Sequence, residues 1–104
     1  MLSDLIAIYD LIEKLAEKKK SSDEEKVFNK VIAVMYKLGN MGTTAVSLEQ
    51  IVNEGISKMN IFRSIERADL EGLILPCMSF GPEYRWMLSP KGTLYFEALL
   101  SEEN

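Results

Sequence analysis

Two glycines, Gly55 and Gly72, divide a stretch of helical periodicity and constrain the fold of this chain more than any other feature. Gly55 ends a short predicted helix over 48–54, and Gly72 stops a longer predicted helix over 57–71 that Ser57 caps. Glycine suits both ends because it adopts the left-handed backbone conformation of a helix terminus without a steric penalty. A short helix, a glycine turn and a longer helix together predict a helix-turn-helix.

The pattern changes directly after this unit. The segments LILPCMSF, GPE and YRWMLS predict strand, turn and strand, so residues 73–89 are expected to form a β-hairpin, or wing. Pro76 indicates an edge strand, because proline cannot donate to a sheet ladder. Ser89 and Pro90 then open a final helix, where the missing N–H of proline leaves no hydrogen bond unmade.

Two helices are predicted ahead of the helix-turn-helix. The first covers residues 1–20, and its leucines and isoleucines repeat at heptad spacing. Its apolar surface is wider than that stripe, so we expect it to pair with a second copy, assisted by the final helix. The residues expected at this dimer interface are Leu5, Ile8, Tyr9, Ile12, Leu15 and Leu99. The alternative is that the first helix packs on its own domain.

The chain of 104 residues has the length of one domain. We expect an α+β, mostly helical domain over 1–104, with an N-terminal dimerisation helix and a winged helix-turn-helix over 23–100. The recognition helix is expected over 57–71, the wing over 73–89 and a C-terminal helix after it.

Composition limits the classes of function. The chain has no histidine, which removes the commonest general base and the commonest metal ligand. Since it also lacks a metal-ligand cluster and a phosphate-binding glycine loop, we expect no enzyme, no metal and no cofactor. No apolar run approaches the roughly 20 residues of a membrane helix. The N-terminus lacks the pattern of a secretory signal, so we expect a cytoplasmic protein without membrane contact.

Residues 27–100 resemble a winged-helix regulator of the MarR/PadR type. The resemblance rests on Gly55, Ile56 and Ser57 at the turn, on EGLIL after the longer helix, and on LSPKGTLYFEALL after the wing. Ala68 and Leu70 depart from the family pattern, in which a leucine and a charge are usual. The resemblance implies sequence-specific binding of double-stranded DNA. It implies a transcription regulator, in our expectation a repressor that binds a pseudo-palindromic operator as a homodimer.

In such a fold the second helix of the helix-turn-helix enters the major groove. Arginine and lysine match guanine acceptors, asparagine matches adenine, and serine reaches phosphate or base. Arg63 and Arg67 lie one turn apart on the predicted outer face. The residues expected to contact DNA from this helix are Ser57, Lys58, Met59, Asn60, Arg63, Ser64 and Arg67. The alternative is an ordinary solvated helix face.

In the wing, Tyr84 and Arg85 are expected to contact DNA, although Glu83 beside them repels phosphate. The net charge of −4 favours a second function, a winged helix used for protein–protein contact in transcription or replication machinery. A third possibility is an architectural protein that binds DNA without sequence preference. No motif identifies a small-molecule effector.

Overall fold

The computed structural model of the protein describes residues 2–19, 22–76 and 85–101, with the side chains of α1 described over 6–18. These residues form, in order, α1 (Leu2–Lys19), α2 (Asp23–Leu38), β1 (Val46–Ser47), α3 (Leu48–Val52), α4 (Lys58–Leu70), β2 (Ile74–Pro76), β3 (Arg85–Leu88) and α5 (Pro90–Ser101). The described chain is therefore mostly helical with a small sheet, and the predicted α+β class is confirmed.

Serine residues cap the starts of α2, α3 and α4. Ser47 Oγ accepts the N–H of Gln50 at 3.2 Å, and Gln50 Oε1 accepts the N–H of Ser47 at 2.9 Å, so the two residues form a complete capping box. Ser22 Oγ accepts the N–H of Glu25 at 3.2 Å. The Glu25 carboxylate, however, lies on Arg67 of α4, 42 residues along the chain. Local capping thus starts α2, while its acidic first turn also serves tertiary packing.

The three strands form an antiparallel sheet in the order β1-β3-β2. Trp86 in the central strand lies opposite Val46 on one side and Pro76 on the other. Alternate residues of β3, Trp86 and Leu88, are buried, so one sheet face packs on the helices. β2 lies at the edge, as its proline predicts.

Helix α2 runs through the core and contacts α1, α4, α5 and β3. Its buried residues include Phe28, Ile32 and Met35, each at most 1% exposed. Helix α5 packs on it through Phe96, whose ring lies 4.8 Å from that of Tyr36, and the Tyr95 hydroxyl donates to Asn29 at 2.6 Å. The core thus joins α2 to α5, at the two ends of the segment predicted to form a winged helix-turn-helix.

Ser89 ties the end of α4 to the start of α5. Its hydroxyl donates to the Gly72 carbonyl at 2.6 Å and accepts the N–H of Gly92 at 3.0 Å. Its own N–H donates to the Leu73 carbonyl at 2.9 Å. These bonds hold the entry to β2 and the exit from β3 side by side, which fixes the base of the hairpin.

The prediction that the heptad stripe of α1 is a free dimer seam is wrong for this structure. Ile8, Ile12 and Leu15 are 8%, 1% and 5% exposed within one chain, because α1 lays this stripe on its own α2. Tyr9 and Leu99 are half-buried and pack against the same core. Leu5 lies outside the side chains that the structure describes. The stripe is therefore used for intramolecular packing, the alternative left open by the sequence.

Candidate nucleic-acid interface

A tight turn holds α4 against α3. Gly55 has φ +90°, and nothing lies within 4 Å of the position a Cβ would take, so backbone conformation alone selects glycine there. Ile56 is buried beneath the turn. Ser57 Oγ then accepts the N–H of Asn60 at 3.3 Å and starts α4. The direction of α4 is thus set by one glycine, one apolar anchor and one cap.

Helix α4 buries one face and exposes the other. Ile61, Ile65 and Ala68 are buried against α2, α3 and β2. Ser64 lies on this buried face and is only 6% exposed. The expectation that Ser64 lies on the exposed surface with the other DNA-contact residues is therefore wrong for the free protein. Helical spacing explains its burial, because Ser64 lies three residues after Ile61 and four before Ala68, on the same face as both.

The N-terminal end of α4 is exposed and electropositive. Ser57, Lys58 and Met59 are all exposed, and Lys58 lies in the first turn, where no acidic residue accompanies it. By contrast, the first turn of α2 holds Asp23, Glu24 and Glu25, and that of α3 holds Glu49. Acidic side chains there offset the positive end of the helix dipole, so α4 alone among these three leaves its N-terminus uncompensated. Such an end attracts anions.

Arg63 extends the positive surface by one turn. Its side chain is exposed, and among the residues that the structure describes it has no hydrogen-bond or ion-pair partner. It lines a groove of about 590 Å³ between the first turns of α2 and the outer side of α4. Asn60 is half-buried and lines the same groove. Both side chains can therefore reach a ligand that approaches the N-terminal half of α4, although four carboxylates line the same groove: Asp23, Glu24, Glu66 and Glu71.

Arg67 does not share that surface in the way the spacing predicts. Its Nη1 lies 2.7 Å from Glu25 Oε2, and its Nε lies 2.7 Å from Glu71 Oε2. The hydrogen bond to Glu25 raises the pKa of Arg67. Partial burial lowers this pKa by a smaller amount, and the hydrogen bond to Glu71 raises it further. The guanidinium is thus neutralised by two carboxylates and positioned between α2 and α4. The expectation that Arg67 is as available as Arg63 is corrected, since no local pattern reveals a partner 42 residues away.

The charge of the exposed face changes sign along α4. Lys58 and Arg63 occupy its N-terminal half, whereas Glu66 and Asp69 are exposed in its C-terminal half. Large apolar side chains lie among them: Met59 is 65% exposed, Phe62 41% and Leu70 83%. A polyanion would meet favourable charge only at the N-terminal half.

The segment predicted to form the wing, residues 73–89, is described at its base, over 73–76 and 85–89. Arg85 begins β3, is half-buried and has contacts of its own within the protein. Tyr84 lies outside the described residues. The neighbouring Trp86 is buried, and its ring meets that of Phe62 edge-on, 6.3 Å between centres. This contact joins α4 to the central strand and was not predicted, because Phe62 occupies a marginal position in the helical pattern.

Among the described residues, no group of aspartate, glutamate or cysteine side chains is placed to hold a metal ion, and no helix has the length and apolarity to span a bilayer. Comparison of the chain with family models, with curated proteins and with solved structures finds no match.

Proposed function

We propose that the protein is a winged helix-turn-helix DNA-binding regulator and that the N-terminal half of α4 enters the major groove. The carrying observation is the uncompensated, exposed start of α4, with Lys58 in its first turn and Arg63 without a partner in the described chain. A cation at a helix N-terminus disfavours folding slightly. It favours contact with phosphate oxygens or guanine acceptors.

The arrangement of the elements supports this proposal. Helix α2, strand β1, helices α3 and α4 and the strands β2 and β3 follow one another in the order expected for a helix-turn-helix with a wing. Acidic Glu66 and Asp69 lie towards the other end of α4. In this proposal α4 meets the duplex end-on, with its acidic half turned away from the phosphates.

Repression of transcription at a pseudo-palindromic operator is part of the proposal. A homodimer would place two copies of α4 on half-sites about 10–10.5 bp apart, or at a multiple of that distance. The stripe of Ile8, Ile12 and Leu15 does not supply its interface, because these side chains are buried in one chain. Leu94 is 66% exposed on α5, which leaves that helix as the candidate surface.

Titration of a fluorescent duplex at several salt concentrations tests the proposal. Phosphate contacts make log affinity fall with log salt by about 0.9 per phosphate neutralised. On a preferred sequence, Arg63→Ala is expected to weaken binding by about 1–3 kcal/mol. Unchanged affinity in this variant contradicts the assignment of Arg63, and a ratio of specific to random binding far below about 10³ indicates an architectural role.

A second candidate function, protein–protein contact, is favoured by a different observation. Met59, Phe62 and Leu70 expose apolar surface on the same helix, and the net charge of the chain is −4. Affinity for a protein partner through apolar burial would lack the steep dependence on salt that phosphate contacts give. The salt titration therefore separates the two candidates.

A further inference from the structure

The outermost positions of α4 form a second stripe opposite the buried one. Met59, Arg63, Glu66 and Leu70 are spaced by four, three and four residues and are all exposed. Four-three spacing is that of a coiled-coil seam, which stays on one side of a helix. Ile61, Ile65 and Ala68 meanwhile face the core. Helix α4 therefore carries two stripes, one packed within the chain and one facing solvent.

The exposed stripe is complementary to itself when reversed. If two copies of α4 lie antiparallel, with the twofold axis between Arg63 and Glu66, each Met59 meets Leu70 of the other copy. Each Arg63 then meets Glu66 of the other copy. Every position in the stripe is matched: two apolar pairs lie outside and two oppositely charged pairs inside. A twofold interface requires such self-complementarity, because one patch serves both partners.

We propose that α4 pairs antiparallel with α4 of a second copy through Met59, Arg63, Glu66 and Leu70. We assign the partner as a second copy of the chain because, when α4 is reversed, its charges are complementary to those of α4 itself. The Leu70 side chain is 83% exposed, so it is available for apolar packing at one end of the contact.

The groove beside α4 provides room for the partner. Its lining includes Arg63, Glu66 and Leu70 on α4, and Asp23, Glu24 and Val27 on α2. In the antiparallel pair, Met59 of the second copy arrives at Leu70, which lines this groove together with the half-buried Val27. The methionine side chain is flexible and fills irregular apolar space. Met59 of the second copy is therefore suited to pack on Leu70 at this groove.

The pairing is expected to be weak and reversible. The stripe from residue 59 to residue 70 spans roughly 16 Å at about 1.5 Å per residue, so it is short for an interface. We expect a dissociation constant of about 1 µM to 1 mM. Since Met59 and Arg63 also belong to the proposed DNA surface, a paired copy would be unable to bind a duplex. The pairing itself needs no DNA and does not depend on the proposed function.

Sedimentation equilibrium of the full chain without DNA tests the pairing, over about 1 µM to 1 mM protein. The variants are Arg63→Glu, Glu66→Arg and the double variant with both reversals. Each single reversal places like charges opposite each other twice and is expected to weaken the dimer by about tenfold or more. The double variant restores opposite charges and is expected to dimerise like the natural chain.

Two control variants match the charge changes away from α4. Lys18→Glu and Glu17→Arg alter exposed residues of α1 and should leave association within about twofold of the natural chain. Circular dichroism checks that every variant is folded. A natural chain that stays monomeric at the highest concentration overturns the proposal, and so does a dimer that survives both single reversals or a double variant that fails to recover. Because DNA is absent, these outcomes do not test whether α4 binds a duplex. A chain that stays monomeric would count against the homodimer in the proposed function, but not against the contact of α4 with DNA.

Discussion

The Arg67 guanidinium lies over the Phe28 ring, with its central carbon 3.9 Å from the ring centre, and also binds Glu25 of the same helix. A cation over an aromatic face contributes about 0.5–1 kcal/mol, and a partly exposed ion pair about 0.2–1 kcal/mol. The aliphatic stem of Arg67 adds apolar contact. Arg67 therefore fastens α4 to α2.

We predict that Arg67→Ala lowers the free energy of unfolding by about 1–2 kcal/mol. Its matched control is Arg63→Ala, one turn away, where we expect a change of at most about 0.5 kcal/mol, because that side chain has no partner in the described chain. Urea denaturation of both variants measures the difference. Equal losses at the two positions would contradict the division of roles between these arginines.

In the first turn of α4, we predict that Lys58 lowers the stability of the fold and strengthens DNA binding. Lys58→Glu replaces a cation at the helix N-terminus by an anion that suits the dipole, and should raise the free energy of unfolding by about 0.3–1 kcal/mol. The same change should weaken DNA binding, since it places negative charge at the proposed contact. Denaturation and duplex titration measure the two effects. A variant that gains stability and keeps full DNA affinity would remove Lys58 from the interface.

Gly92 and Gly55 are predicted to resist substitution for different reasons. A Cβ on Gly92 would overlap the Leu73 carbonyl, which belongs to rigid backbone, so Gly92→Ala should cost about 3 kcal/mol or more. Gly55 has open space but φ +90°, so Gly55→Ala should cost about 1–2 kcal/mol through backbone strain. Thermal denaturation ranks them, and a larger loss at Gly55 would contradict the close contact between α5 and Leu73.

Tyr9 gives a prediction about pH. Its hydroxyl is buried and, among the described residues, has no hydrogen-bond partner. Burial, with a smaller contribution from Glu54, raises the pKa of Tyr9 from 10.0 to about 12. The unfolded chain therefore loses this proton first, and the stability associated with the neutral phenol is lost as pH rises from 10 to about 12.

Tyr9→Phe removes the unpaired hydroxyl and keeps the ring, so it should raise the free energy of unfolding at neutral pH by about 1 kcal/mol. It should also flatten the decline in stability above pH 10. Urea denaturation at neutral and alkaline pH tests both expectations. An unchanged alkaline slope would show that Tyr9 titrates normally.

Local signals in the sequence predict most of the elements of this fold. Serine caps, glycine ends and apolar spacing act over a few residues, so the start of α3 and both ends of α4 follow from them to within one residue. Helix α3 ends at Val52, two residues before its predicted end. Long-range pairing is different. Glu25 has the right spacing for a local capping box, yet its carboxylate binds Arg67 because the fold brings the two helices together. Arg67 is therefore not available in the candidate site as predicted, and no local sequence pattern could have indicated this long-range ion pair.

The heptad stripe of α1 shows the same limit. Its spacing indicates an apolar face, but the spacing is identical whether the partner is a second copy or the α2 of the same chain. Ile12 is 1% exposed within one chain, so the stripe packs on α2 of the same chain. The outer stripe of α4 was missed because Arg63 and Glu66 interrupt its apolar residues, and its symmetry appears only when the helix is read in both directions.

The most direct test of DNA reading by α4 is selection of bound sequences from a pool of random duplexes, at low and at high salt, with Arg67→Ala and Arg63→Ala alongside the natural chain. We predict an enriched motif for the natural chain and for Arg67→Ala at low salt, its loss at high salt, and weakened or altered enrichment for Arg63→Ala. Absence of any binding at low salt would contradict the account and assign the exposed face of α4 to protein contact.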